Sequence, residues 1–150
     1  MTTVTVESNV AAPVARVFEV FTDLEHLVDR VSNIQRVEVL TTGGFALGTR
    51  WRETRTVLGQ LDSADMEVTA FERNRTYTIT HHKAGTRIVT VFTFAPVIGS
   101  TDVRVQFALE GDGLPLGLLA PLAWASAGTV RDVIGRDLAD LKESVEQQPA

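Results

Sequence analysis

The sequence predicts a single α+β domain in which a curved antiparallel sheet wraps around a long C-terminal helix, with an apolar pocket between them. Three observations predict it. From Thr3 to Glu110 most segments alternate with period two and are rich in β-branched and aromatic residues, the pattern of strands. Two short stretches of helical spacing interrupt that series, directly after the first strand. From Val130 onward the apolar residues recur at helical spacing, and this last segment alone is long enough to cover a sheet face.

The elements follow in order. Thr3 to Val10 (TVTVESNV) reads as the first strand. Pro13 suits the first turn of a helix, where its missing N–H costs nothing, and Val14, Val17, Phe18 and Phe21 follow at helical spacing. Asp23 is placed to cap a second short helix, whose apolar face is Leu24, Leu27, Val28 and Val31. Ile34 to Leu40 reads as a strand and Gly43-Gly44 as a turn. Leu47 to Leu58 is a long strand that breaks at Gly59. Asp62 to Phe71 turns at Asn74 into Arg75 to His82, which closes at Lys83-Ala84-Gly85. Arg87 to Phe94 is interrupted by Pro96 and Gly99, and Asp102 to Glu110 completes the series. Consecutive strands should pair mainly as antiparallel neighbours, and a sheet this long must twist and can curl. The long helix is expected within Leu114 to Val145. It is apolar on every side up to Gly128, bent near Pro121, and amphipathic through Val130, Ile134, Leu138, Leu141 and Val145.

Composition narrows the chemistry. The 150 residues suit one domain, 1–150, able to bury a core without covalent staples. With no cysteine, thiolate catalysis, disulfides and Cys-based metal sites are excluded. The N-terminus, MTTVTVES, has no basic or apolar secretory pattern, so a cytoplasmic location is expected. Leu114 to Ala125 is too short and too proline-rich to span a membrane. The net charge of −5, with arginines scattered among acids, argues against nucleic acid as a partner. No H-E-x-x-H, P-loop or G-x-G-x-x-G motif occurs. His81 and His82 point to opposite faces of a strand, and His26 lies on a polar helix side. No metal and no cofactor are expected.

Strand alternation sorts the side chains. Thr49, Trp51, Glu53, Arg55 and Val57 share one face. In the following strands Ala64, Met66, Val68 and Ala70 face inward, then Tyr77, Ile79 and His81, then Ile88, Thr90, Phe92 and Phe94, and last Val103, Val105, Phe107 and Leu109. Polar groups on an otherwise apolar face, namely Glu53, Arg55, Tyr77 and His81, match a pocket in which a few polar groups orient an apolar ligand. A structural Glu53–Arg55 ion pair at a wet sheet edge is the competing reading. Trp51, Met66, Phe92 and Phe107 are candidate walls, with core packing as the alternative. Trp124 is a candidate wall, lid or interface residue.

The stretches VTVESNVAAPVARVFEVFTDLEHL, LGTRWRETRTV and LLAPLAWASAGTVRDVIGRDLADLKESVE carry a resemblance that runs from about Thr3 to Val145. The chain resembles the START/Bet v 1-like (SRPBCC) superfamily, especially its polyketide cyclase/dehydrase and lipid-transport-like branch. The resemblance implies a helix-grip fold with a cavity between sheet and final helix. It also implies a hydrophobic ligand, and it places Trp51, Glu53 and Arg55 on a pocket-facing strand. It implies no universal catalytic set.

Three functions follow as expectations. The first is binding of a small hydrophobic or aromatic ligand, lipid- or polyketide-like. The second is a cofactor-independent cyclase or dehydratase-type enzyme, with Glu53 or His81 as acid or base. The third is an accessory or interaction role, including homodimerisation through Leu114 to Trp124.

Overall fold

The computed structural model describes residues 3–57, 59–83, 85–110 and 127–147. It consists of strand β1 (Thr3–Val10), helix α1 (Val14–Phe21), a 3₁₀ turn (Leu24–His26), helix α2 (Leu27–Arg30), strands β2 (Ile34–Val39), β3 (Arg50–Val57), β4 (Gln60–Glu72), β5 (Thr76–Lys83), β6 (Thr86–Val97) and β7 (Ser100–Glu110), and helix α3 (Ala127–Gln147). The strands form one seven-stranded antiparallel sheet. This is the helix-grip arrangement, with a curved sheet closed by the C-terminal helix.

The expectation of antiparallel neighbour pairing holds throughout the consecutive strands β2 to β7, and β1, set apart from them by the short helices, joins the sheet beside β7. The spatial order is β1-β7-β6-β5-β4-β3-β2, so the first strand pairs with the last and β2 occupies the opposite edge. The short helices make this order workable. They carry the chain across the open side of the curved sheet, α1 touching β6 and β7 and α2 touching β2. Asp23 stands before the 3₁₀ turn without capping it. Its carboxylate instead accepts from His26 Nδ1 at 2.7 Å and Arg30 Nη1 at 3.1 Å. Val28, expected on the apolar face, is 38% exposed, because α2 is a single turn and Leu27 takes the inward position.

Three strand details also depart from the simple pattern. The third strand begins at Arg50 rather than Leu47. Gly48 has φ +89°, a backbone conformation that L side chains rarely adopt, and it breaks the extended run. Within β4 the register shifts between Val68 and Ala70, so Phe71, not Ala70, pairs with Tyr77 and turns to the core. A bulge adds one residue and reverses the facing of everything beyond it. Pro96 lies inside β6, paired with Thr101, and the chain turns at Ile98-Gly99. Pairing with β5 extends only as far as Thr93, so Pro96 has no ladder partner on that side to miss its N–H.

The core gathers between the sheet, α1 and α3. Phe18 on α1 meets Phe71, Tyr77 and Phe94 at centroid distances of 5.8, 5.8 and 5.1 Å. Tyr77 stacks on Phe92 at 4.6 Å. Helix α3 buries Val130, Leu138, Leu141 and Val145, as its spacing predicts. Polar bonds anchor it along its length. Asp140 accepts from Ser32 N at 2.9 Å, Glu146 accepts from Ala11 N at 2.8 Å, and Lys142 Nζ donates to the Asn9 carbonyl at 2.6 Å. The bend expected at Pro121 and the segment before Ala127 lie outside the described residues.

Phe18 tests this account of the core. Phe18→Ala removes the ring at which α1 meets three strands, and should cost about 3–5 kcal/mol of stability. Equilibrium urea unfolding should show a lower midpoint with an unchanged slope. A cost under about 1 kcal/mol would mean that the contact is peripheral.

Candidate functional site

The cavity lies between the concave sheet face and α3, and its volume is about 170 Å³. A single water needs only about 10–15 Å³ by the same measure, so the space exceeds that of one ordered solvent molecule. Two core clusters flank it. Trp51, Tyr77, Leu138 and Leu141 belong to the larger cluster; Phe107 and Val130 belong to the smaller. All six line the cavity.

Strand β3 supplies the polar end. Its regular alternation turns Trp51, Glu53, Arg55 and Val57 to the cavity, with Trp51 2% and Glu53 6% exposed. Glu53 is held on both oxygens. Trp51 Nε1 donates to Oε1 at 3.3 Å, and Arg55 donates to Oε2 through Nε at 3.2 Å and Nη2 at 2.9 Å. The expected Glu53–Arg55 pair is therefore present, but it faces the cavity instead of a wet edge.

Arg55 has a second carboxylate, which sequence reasoning missed. Its Nη1 donates to Asp137 of α3, at 3.1 Å to Oδ2 and 3.4 Å to Oδ1. Asp137 stands three residues after Ile134 and seven after Val130, both cavity-lining, so the helical stripe contained the signal. Phe45 was missed as well. It lies in the β2–β3 loop, where no periodicity marks facing, and its ring meets Tyr77 at 5.0 Å. Asp62 of β4 also lines the cavity; it pairs with Arg55 in register and forms an ion pair with Lys83.

The remaining predicted residues are placed as follows. Met66, Tyr77, His81, Phe92 and Phe107 all contribute to the cavity wall. Met66 pairs with Trp51 across β3 and β4, and Tyr77 with Phe92 across β5 and β6. Trp124 lies outside the described residues. His26 and Glu25, both exposed, join the half-buried Asp23 in a group with ligand-type atoms within 4.8 Å of one another. The Asp23 oxygen there already accepts from Arg30, whose charge opposes a cation.

Burial sets the protonation states. It raises the Asp137 carboxyl to about 6, with Glu53 adding to the rise and Arg55 opposing it. It lowers the His81 imidazole to about 4, helped by Arg55 and His82 and opposed by Glu53. Burial likewise raises the Tyr77 hydroxyl, and the Glu53 charge adds to that. For Arg55 burial pulls downward, but Glu53 and Asp137 outweigh it and hold the guanidinium charged. At neutral pH the cavity therefore holds a neutral imidazole, an ionised guanidinium and a carboxyl that gains its proton only slightly below neutrality.

This fold and this cavity define a helix-grip protein of the START/Bet v 1-like superfamily. The chain belongs to the family described as "Polyketide cyclase / dehydrase and lipid transport", whose model matches residues 1–146. No curated protein matches it by sequence. Among solved structures it is similar to a protein from Thermus thermophilus, with TM-score 0.80 and 21% identity, covering 99% of this chain and 100% of the other. It is also similar to a START superfamily protein from Mycobacterium smegmatis, with TM-score 0.76 and 17% identity over 97% of both chains. A third similar structure is a norcoclaurine synthase point mutant from Thalictrum, in complex with a transition-state analogue. There the TM-score is 0.75 and the identity 14%, covering 97% of this chain and 94% of that one. At these identities the likeness shows the fold.

The two shifted groups make opposite contributions to stability. Asp137, raised when folded, contributes stability present below its unfolded value and lost as pH rises through about 6. His81, lowered when folded, contributes stability present above its unfolded value and lost as pH falls through about 4. Over roughly pH 4 to 6.5 the two offset one another. Relative to wild type, Asp137→Asn should lose stability as pH falls across that window and His81→Gln should gain it, each by on the order of 2 kcal/mol. Urea unfolding at several pH values measures both. Parallel pH profiles for all three proteins would show that these groups are not desolvated.

Proposed function

We propose that the protein binds a small hydrophobic or aromatic molecule, lipid- or polyketide-like, in the cavity between sheet and α3. The observation that carries this reading is the cavity itself: about 170 Å³ in the interior, apolar over most of its wall, with polar groups converging at one end. Trp51, Met66, Tyr77, Phe92 and Phe107 contact the apolar body of the ligand. Glu53, Arg55 and His81 orient its polar part. The family supports the reading, since its description includes lipid transport. The reading requires no cofactor. Among the described residues no helix is long and apolar enough to cross a membrane; a cytoplasmic setting is part of the proposal. Dimerisation through Leu114 to Trp124 falls on residues outside those described.

A cofactor-independent cyclase or dehydratase activity is the second reading. It is favoured by one specific observation: a protonatable carboxyl and a neutral imidazole, Asp137 and His81, line the same cavity with their titrations pushed apart. Of the acid–base residues expected from the sequence, His81 suits this role better than Glu53. Both Glu53 oxygens already accept hydrogen bonds, which favours orientation over proton transfer.

Native mass spectrometry of freshly purified protein, followed by extraction, should reveal a retained apolar compound. Ala64 lines the cavity with a small side chain, so Ala64→Phe should fill the space. Affinity for that compound should fall at least about tenfold, equivalent to ~1.4 kcal/mol, with thermal stability kept. Undiminished affinity in the folded variant would place the ligand elsewhere and remove the cavity from the function. Turnover lost with binding retained, in His81→Gln, would promote the catalytic reading.

A further inference from the structure

The charge balance at the polar end of the cavity narrows the ligand further, granted that the cavity is the binding site. Three carboxylates, Glu53, Asp62 and Asp137, meet two cations there, Arg55 and Lys83. His81 adds no charge at neutral pH, since burial holds its imidazole neutral. Asp140, on the next turn of α3, adds further negative potential at Asp137. Residues 111–126, outside the described structure, contain no Lys, Arg or His that could supply a balancing charge. The polar end is therefore one positive charge short.

The three carboxylates are not equally committed. Glu53 accepts on both oxygens, from Trp51 and from Arg55. Asp62 has Lys83 as its ion-pair partner. Asp137 shares one Arg55 nitrogen at 3.1 and 3.4 Å and retains 22% side-chain exposure. It lines the cavity, so a bound molecule can reach it there. Net negative charge in such a setting is costly even where each carboxylate has a partner, and a cation placed beside the most open of them lowers the cost.

We propose that the cavity takes a hydrophobic amine, whose ammonium group bonds the cavity-facing carboxylate of Asp137 while its apolar body lies against Trp51, Tyr77 and Phe92. A carboxylate ligand is disfavoured at this site. Both nearby cations are already paired with fixed carboxylates, so an added anion doubles the imbalance that an ammonium cancels.

Three probes with one body and different heads test this: naphthylethylamine, naphthylethanol and naphthylacetate, titrated calorimetrically into the wild-type protein at pH 7.5. The amine should bind about tenfold or more tighter than the alcohol, since the added contact is charge-assisted, and naphthylacetate should bind weakest. Competition with the compound retained on purification locates the binding. In Asp137→Asn, which keeps the side chain's shape, the amine-to-alcohol ratio should collapse towards one. The wild-type ranking needs no variant, so a misfolded substitution leaves the test intact. Equal affinity of amine and alcohol would overturn the amine preference and leave the cavity as a ligand site. Tightest binding of naphthylacetate would overturn the charge argument itself. Failure of all three probes to compete with the retained compound would overturn the cavity reading, and the amine proposal with it.

Discussion

Arg55 is the group on which the inner architecture depends. Two carboxylates from different elements, Glu53 on β3 and Asp137 on α3, are held by one guanidinium. Charges this deep are tolerated when they are paired and hydrogen-bonded and are costly otherwise. The planar fork of arginine can serve both at once, which a lysine ammonium could not reproduce at the same angles. The contact therefore does more than neutralise charge. It ties the cavity-facing side of α3 to a defined step of β3. The bonds from Asp140, Lys142 and Glu146 pin the same helix to Ser32, Asn9 and Ala11. With several anchors along one helix, rotation or sliding would break more than one bond at once.

That fixed helix explains why space remains beneath it. Protein interiors otherwise close to crystal-like density. Here the aromatic group around Phe18, Tyr77, Phe71 and Phe94 is packed on one side, and the smaller cluster of Val4, Ile88, Phe107 and Val130 on another. Between them the wall includes short side chains such as Ala64 and Thr90, which cannot reach across. The polar end resists collapse for a different reason. Aliphatic groups moved onto Glu53, Arg55 and Asp137 would complete their desolvation without providing hydrogen bonds.

Most of this was readable from the sequence where the backbone is regular, and lost where it is not. Trp51, Glu53 and Arg55 share a face because β3 has no bulge between them, so parity alone placed them. Parity misplaced Ala70 because the shift after Val68 leaves no compositional mark, and Phe71 takes its place against Tyr77. The pairing of β1 with β7 is a long-range contact that local pattern cannot specify. Asp137 was legible in principle. Its spacing from Val130 and Ile134 places it on the buried stripe, but a single acid within a helix reads as solvated until a partner is known. That partner, Arg55, is 82 residues away in the chain.

The same unequal division of hydrogen bonds separates orientation from chemistry in this cavity. A proton can be exchanged only by a group whose atoms are open to the ligand and whose two charge states lie close in free energy at the working pH. Glu53 meets the first condition poorly, because Trp51 and Arg55 occupy both of its oxygens. Tyr77 fails the second, because burial and the Glu53 charge hold its proton in place well above neutrality. Asp137 meets both, with its carboxyl raised to about 6 and part of its surface open. A single weakly held carboxylate is thus the natural seat for a ligand cation and also the group best placed to move a proton. If this protein catalyses a reaction, the step should centre on the α3 side of the cavity, with the β3 residues serving as the fixed frame against which the ligand is aligned.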